Sequence, residues 1–164
     1  MMRRQLCAAV AAVVFTVPAL AEDPMLVQVK RLSLDTAVKV AEGAIAACRE
    51  KGIQIGVTVV DRDGTVQVTF RDTIAAPITL AISEMKAKTA ANFNAATSSM
   101  SARADTPVGR VDGLVMSAGG VPVLVGGSTL VAGVGVSGAP AGETDEECAL
   151  AGVARIQDDL DMGM

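Results

Sequence analysis

Four carboxylates crowd residues 143–147, as Glu143, Asp145, Glu146 and Glu147, and clustered oxygen ligands of this kind suit a hard cation such as iron or calcium. Glu143, Glu146 and Glu147 are the candidate metal ligands. Acids at a helix start also offset the macrodipole and cap free N–H groups, which accounts for the cluster without any metal. A second string, Gly133-Val-Gly135-Val-Ser-Gly138, matches the G-x-G-x-x-G pattern of dinucleotide-binding folds. That fingerprint needs its glycines between a strand and a helix of a βαβ unit, whereas these fall within or at the end of a last strand, a context that rules against nucleotide binding.

The chain has no histidine, which removes Ser-His-Asp and Cys-His catalysis together with the commonest zinc ligand. Ser83 or Ser117 could be paired with Lys86 or Lys88, but no spacing favours it, and no residue is assigned a catalytic role. The eight methionines are scattered, as core filling requires, and do not form a soft-metal cluster. Met85 and Phe93 share one helix face, and the glycine-bearing face of the last strand, at Gly133 and Gly135, could admit a flat ring if a second subunit closed over it. Close helix packing explains the same glycines.

Composition narrows the setting. Arg3 and Arg4, an apolar run from Leu6 to Val17 and the small residues before Glu22 form a secretory signal over residues 1–21, leaving a single domain over 22–164. Export to the periplasm or the medium is expected, with no membrane-embedded segment after cleavage. Removing Arg3 and Arg4 from the 14 basic residues leaves 12 against 18 acidic ones, a net charge of about −6 that argues against nucleic acid and anionic membranes as partners. Cys48 and Cys148 both fall in expected helices, and their spacing leaves a disulfide and two buried thiols open, with thiols the simpler reading.

The elements that position these residues follow from periodicity. Ser33 opens a first helix with Leu34, Val38, Ala41, Ile45 and Cys48 along one stripe, closed by Gly52. Alternation from Ile53 to Val59, the turn Asp63-Gly64 and alternation through Val66, Val68 and Phe70 give a hairpin. Pro77 starts a second helix reaching about Asn94, with Ile78, Ile82, Met85, Thr89 and Phe93 as its inward stripe. A Ser/Thr/Asp/Pro/Gly connector over 95–113 includes a short helical turn near Met100. Three strands then fit the uncharged run, at 114–117, 121–125 and 129–136, and a Thr144-x-x-Glu147 capping box opens a last helix striped by Ala149, Val153, Ile156 and Leu160. The order α-β-β-α-β-β-β-α predicts an α+β domain whose five-stranded antiparallel sheet has helices over one side.

Several strings together resemble one family: Val59-Val60-Asp61-x-x-Gly64, Lys86-Ala87-x-Thr89-Ala90-x-x-Phe93, Gly119-Gly120-Val121-Pro122, Gly133 to Pro140, and Asp145-Glu146-x-Cys148. Their series, from about Leu32 to Leu160, is similar to the GlcG/HbpS family of haem-binding and haem-degrading-type proteins. The resemblance implies a profilin-like or PAS-like α/β sandwich that assembles into tetramers or octamers, binds haem or iron, and in some members acts as a haem or redox sensor beside a membrane sensor protein. It implies a cofactor site drawn from Met85, Lys86, Thr89, Phe93, Thr97, Met116, Gly119, Gly120, Gly133 and Gly135. Without histidine, iron would need an oxygen or sulfur donor, from Met85, Thr89, Thr97, Met116 or Cys148. Two other readings stay open: an enzyme or accessory of oxidative hydroxy-acid metabolism using Lys86, Thr89 and the residues near Gly119, and a structural oligomer with no ligand.

Overall fold

A computed structural model describes residues 25–163, so the expected signal cleavage after residue 21 lies outside the described residues. Helix α1 (Leu34–Glu50) begins where Ser33 accepts a hydrogen bond from the Thr36 N–H, as its cap position requires. Strands β1 (Gly56–Asp61) and β2 (Val66–Arg71) form the expected hairpin, and Gly64 takes the left-handed φ of +84° that the turn needs. Helix α2 (Ile78–Phe93) ends on Asn94 in the left-handed conformation. The connector carries two 3₁₀ segments, Thr97–Arg103 and Pro107–Arg110, before β3 (Gly120–Val125), β4 (Thr129–Ser137) and α3 (Gly142–Met162). None of the described helices is long and apolar enough to cross a membrane.

The sheet has four strands, antiparallel throughout, in the order β2-β1-β4-β3, and not the five expected. The missing strand is 114–117. Its Val115 N–H goes to the Thr89 hydroxyl at 2.9 Å, and Leu114 closes a turn on Val111, so the segment lies against α2 and makes no ladder.

Helices cover both faces of the sheet, where one covered side was expected. On the first face, Val57, Val59, Val121, Val123, Val134 and Val136 pack against Val40, Ala44, Ala149, Val153 and Ile156 of α1 and α3. On the second, α2 lies directly over the glycines of β4. A methyl group at Gly135 would stand 2.0 Å from the Ser83 carbonyl oxygen, and one at Gly133 would stand 2.5 Å from that of Ala87. Of the readings open for these glycines, close helix packing is the one realised: α2 of the same chain occupies the floor, and neither a flat ligand nor a second copy can reach Gly133 or Gly135.

That close approach also turns α2 over relative to expectation. The backbone of a helix can reach a strand only through small side chains, and Thr79, Ser83, Ala87, Ala90 and Ala91 are the buried ones. Of the expected inward stripe only Thr89 is buried; Ile82, Met85 and Phe93 are half-buried, and Ile78 is 61% exposed. The apolar stripe is left partly exposed along α2, with the connector reaching it at Thr89.

Glycines also bring α1 and α3 together: a methyl group at Gly152 would lie 2.5 Å from the Val40 carbonyl oxygen. At this approach Cys48 and Cys148 lie with Cα atoms 5.6 Å apart and form a disulfide, so the buried-thiol reading gives way to the bridge. The last helix starts three residues earlier than expected, with Ala141 and not Thr144 at the cap position, and with no side-chain cap. Thr144 and Glu147 form no capping box, because both lie inside the helix, and Glu147 accepts from Lys51 Nζ at 2.8 Å.

Arg49 clamps the end of β2 by donating to both Asp72 oxygens, at 2.7 and 2.6 Å. These hydrogen bonds, with the Thr73 N–H and the Arg49 charge, hold the Asp72 carboxyl below its ordinary range against the opposing effect of burial. A depressed carboxyl contributes stability above its unfolded value of about 3.9, and loses it as pH falls through the lower folded value. Asp72→Asn should therefore be less stable than the native chain at pH 7, and the gap should narrow below pH ~3.9. Urea midpoints across that range test this; a gap that stays constant with pH would assign the effect to packing.

Candidate functional site

The residues expected to form a site meet where the middle of α2, the connector, the start of β3 and the start of α3 converge. Lys86 points inward from α2 because β4 is glycine-rich at that level, and its Nζ donates to Val136 O at 3.0 Å and to Asp145 Oδ2 at 2.8 Å. Both side chains of this ion pair are nearly inaccessible, at 5% and 4% exposure. The second Asp145 oxygen accepts the Ala139 N–H at 2.9 Å. Gly119 closes over the pair with φ +122°, and a methyl group there would meet Nζ at 2.5 Å, so only glycine fits.

Around the ion pair runs a set of hydroxyl and carboxylate contacts. Glu146 accepts the Ser98 hydroxyl at 2.6 Å and the Gly119 N–H at 3.2 Å. Thr97 Oγ1 accepts the Gly120 N–H at 2.8 Å, and Thr89 Oγ1 donates to Met85 O at 2.7 Å while accepting from Val115. Lys86, Thr89, Thr97, Gly119 and Gly120 are thus brought together, and Met116 is buried nearby in the same connector. Chemically this lattice fastens the connector to the sheet. Its lysine is paired and enclosed, which denies it the role of a free base or nucleophile.

The candidate metal ligands diverge. Glu143 is exposed, Glu146 turns to Ser98 and Gly119, and Glu147 turns to Lys51. Among the described residues no three acidic or cysteine side chains converge as a cation site requires, because each glutamate is drawn to a different neighbour. Asp145 and Ser98, which the sequence reading left out of the site, are central to the lattice. Asp145 had a signal in its string with Glu146 and Cys148, whereas Ser98 had none.

The candidate iron donors also separate. Cys148 is consumed by the disulfide, and the Thr89 and Thr97 oxygens are committed to backbone groups. Met116 is 5% exposed. Met85 remains half-buried on the outer face of α2, in line with Ile78, Ile82 and Phe93 and beside the Glu84–Lys88 ion pair. That row carries a thioether and an aromatic ring, is covered by the connector at Thr89, where Val115 sits, and is left partly exposed at Ile82, Met85 and Phe93.

The architecture defined by these elements, a four-stranded antiparallel sheet between α2 and the α1–α3 pair, recurs in solved structures. A double glutamate-to-aspartate variant of Streptomyces reticuli HbpS is 37% identical, with a TM-score of 0.77 over 86% of this chain and 97% of that one. Another crystal structure of HbpS is 38% identical, covering 84% and 99%, with a TM-score of 0.76. A PduOC:heme complex shares the fold at 24% identity and a TM-score of 0.69, covering 76% and 94%. No curated protein sequence matches the chain. Residues 32–154 match the family described as haem-degrading protein, HbpS-like, and the chain belongs to that family.

Proposed function

We propose that this protein is an exported, oligomeric binder of haem or a closely similar flat tetrapyrrole, held on the outer face of α2. One observation carries the reading: α2 buries its small residues against the sheet and leaves the apolar side chains of Ile82, Met85 and Phe93 partly exposed in one row. The donors fit haem to the extent that Met85 offers a thioether and Phe93 an aromatic face. Bound haem would supply one-electron redox chemistry. The chain's own part is to orient the ring against Phe93, keep water from it, and present the Met85 sulfur. Family membership and the haem named in the related PduOC complex support the same ligand.

A second copy is the natural cover for this face, because a ring lying on a single helix stays open to water on its other side. The disulfide supports export, since such bridges persist in oxidising compartments. A membrane sensor protein as the recipient of the haem signal belongs to the same reading. The hydroxy-acid reading loses its pocket, because Lys86 is enclosed and paired to Asp145.

Haem titration tests the proposal. Haem absorbs in the visible, where no side chain does, so its bands report binding directly. Saturable binding at micromolar haem is expected, weakened about tenfold, close to 1.4 kcal/mol, in Met85→Ala and accompanied by a changed visible spectrum. No saturation, or a variant identical in affinity and spectrum, would remove α2's outer face as the site.

A further inference from the structure

At the far end of β4 from Val136 lies a cavity of about 600 Å³, set between the β1–β2 turn, the end of α2 and the β3–β4 turn. We propose that it binds a monosaccharide-sized sugar acid, with Arg62 taking the carboxylate and the surrounding amides and hydroxyls taking the sugar hydroxyls. The argument starts from charge. Arg62 is flanked in sequence by Asp61 and Asp63, the two carboxylates best placed to neutralise it. Both are engaged by Arg31 instead, Asp61 at 2.6 Å and Asp63 through the second guanidinium nitrogen. Asp61 is further saturated by the Asp63 and Thr65 N–H groups, at 2.9 Å each.

Arg62 is left half-buried on the cavity wall, and no hydrogen bond or ion pair to it occurs among the described residues. A partly desolvated guanidinium with an open fork is matched by a carboxylate, which it can hold through two parallel hydrogen bonds. The rest of the wall decides what that carboxylate is attached to. Asn92, Asn94, Ser128 and Thr129 line the same space as exposed side chains with no partner among the described residues, and Asp63, also on the wall, is held by Arg31. The two asparagines, Ser128 and Thr129 come from two further chain segments, so the polar groups line an open depression from more than one side.

The helix geometry adds a selection. α2 ends here, and the carbonyl end of a helix is the negative end of its dipole, which disfavours a bare anion but accepts hydroxyl donors. A ligand with one charge and several hydroxyls satisfies Arg62 and the helix end together. The volume is within the range of about 300–1,000 Å³ typical of small-molecule sites. This cavity shares no residue with the outer stripe of α2, so the inference is independent of the haem reading.

Isothermal titration of the full chain with glucuronate, glucose and acetate tests it. Glucuronate should bind saturably, and glucose and acetate each at least about tenfold more weakly, because each lacks one half of the recognition. Arg62→Ala should lose about tenfold or more for glucuronate, Arg62→Lys should fall between, and Thr129→Val should lose a smaller factor. Arg110→Ala, an exposed arginine elsewhere, should bind as the native chain does. Unchanged melting temperatures of the unliganded variants would show that the losses are local. Absence of saturation with glucuronate, equal binding of acetate, or equal affinity in Arg62→Ala overturns the proposal.

Discussion

Replacing Lys86 by methionine should lower the stability of the folded chain by about 3–5 kcal/mol, because it leaves the buried Asp145 charge without its counter-ion. The side chains are 5% and 4% exposed, so water cannot take over from the lost ammonium. Asp145 would keep only the Ala139 N–H, and Val136 O would lose its side-chain donor. Lys86→Arg should not rescue the loss: Gly119 sits so close to Nζ that a planar guanidinium has no room to turn there. Lys86→Met/Asp145→Asn should recover a large part of the deficit, since no charge is then buried alone. Urea unfolding at pH 7 gives the comparison through the midpoints, provided the slopes agree. A single variant that costs under ~1 kcal/mol, or a double variant no better than the single, would show that the pair is not what fastens α2 to α3.

The contrast between Lys86 and the rest of α2 explains how far the sequence was legible. Local patterns that depend on near neighbours were readable: the Ser33 cap, the Asp63-Gly64 turn, the end of α2 at Asn94 and the cores of β3 and β4. The orientation of α2 was not. Periodicity ranks faces by apolar bulk, whereas a glycine-bearing strand selects its partner for smallness, so Ala87 and Ser83 outrank Ile82 and Met85 for the buried side. The same glycines, read as an open floor, are the seat of that helix.

Segment 114–117 failed for a related reason: a single hydroxyl, Thr89, captures the Val115 N–H that a ladder would have used, and no window of neighbouring residues contains that fact. The site was legible as strings and not as contacts. Lys86, Gly119, Gly120 and Asp145 stand out in the sequence, but Lys86 and Asp145 are 59 residues apart and their pairing needs the fold. Ser98 carries no signal at all, being one of several serines in a loose connector. The metal reading of the acidic cluster shows the converse case, where adjacency along the chain suggested convergence and the helix spread the side chains to separate partners.

Opening the Cys48–Cys148 bridge should cost about 2–5 kcal/mol, with the chain-entropy model placing a loop of this size near 4.7 kcal/mol. The two cysteines are 100 residues apart, so the bridge restrains most of the domain when it unfolds. Little of the folded structure depends on it, because the α1–α3 contact is also made by Val40, Ala44, Ala149 and Val153 and by the facing glycines. Reduced native chain and Cys48→Ala/Cys148→Ala should therefore keep the native circular dichroism spectrum while unfolding at lower urea. The reduced chain separates the cross-link from side-chain volume, since it retains both sulfur atoms. Both cysteines are fully buried, so dithiothreitol should reach the bridge only when the domain opens, and reduction followed by thiol alkylation should accelerate steeply with added urea. Equal urea midpoints for the oxidised and reduced chains would mean that the bridge adds nothing to stability, and reduction at the same rate with and without urea would place it at the surface and not between α1 and α3.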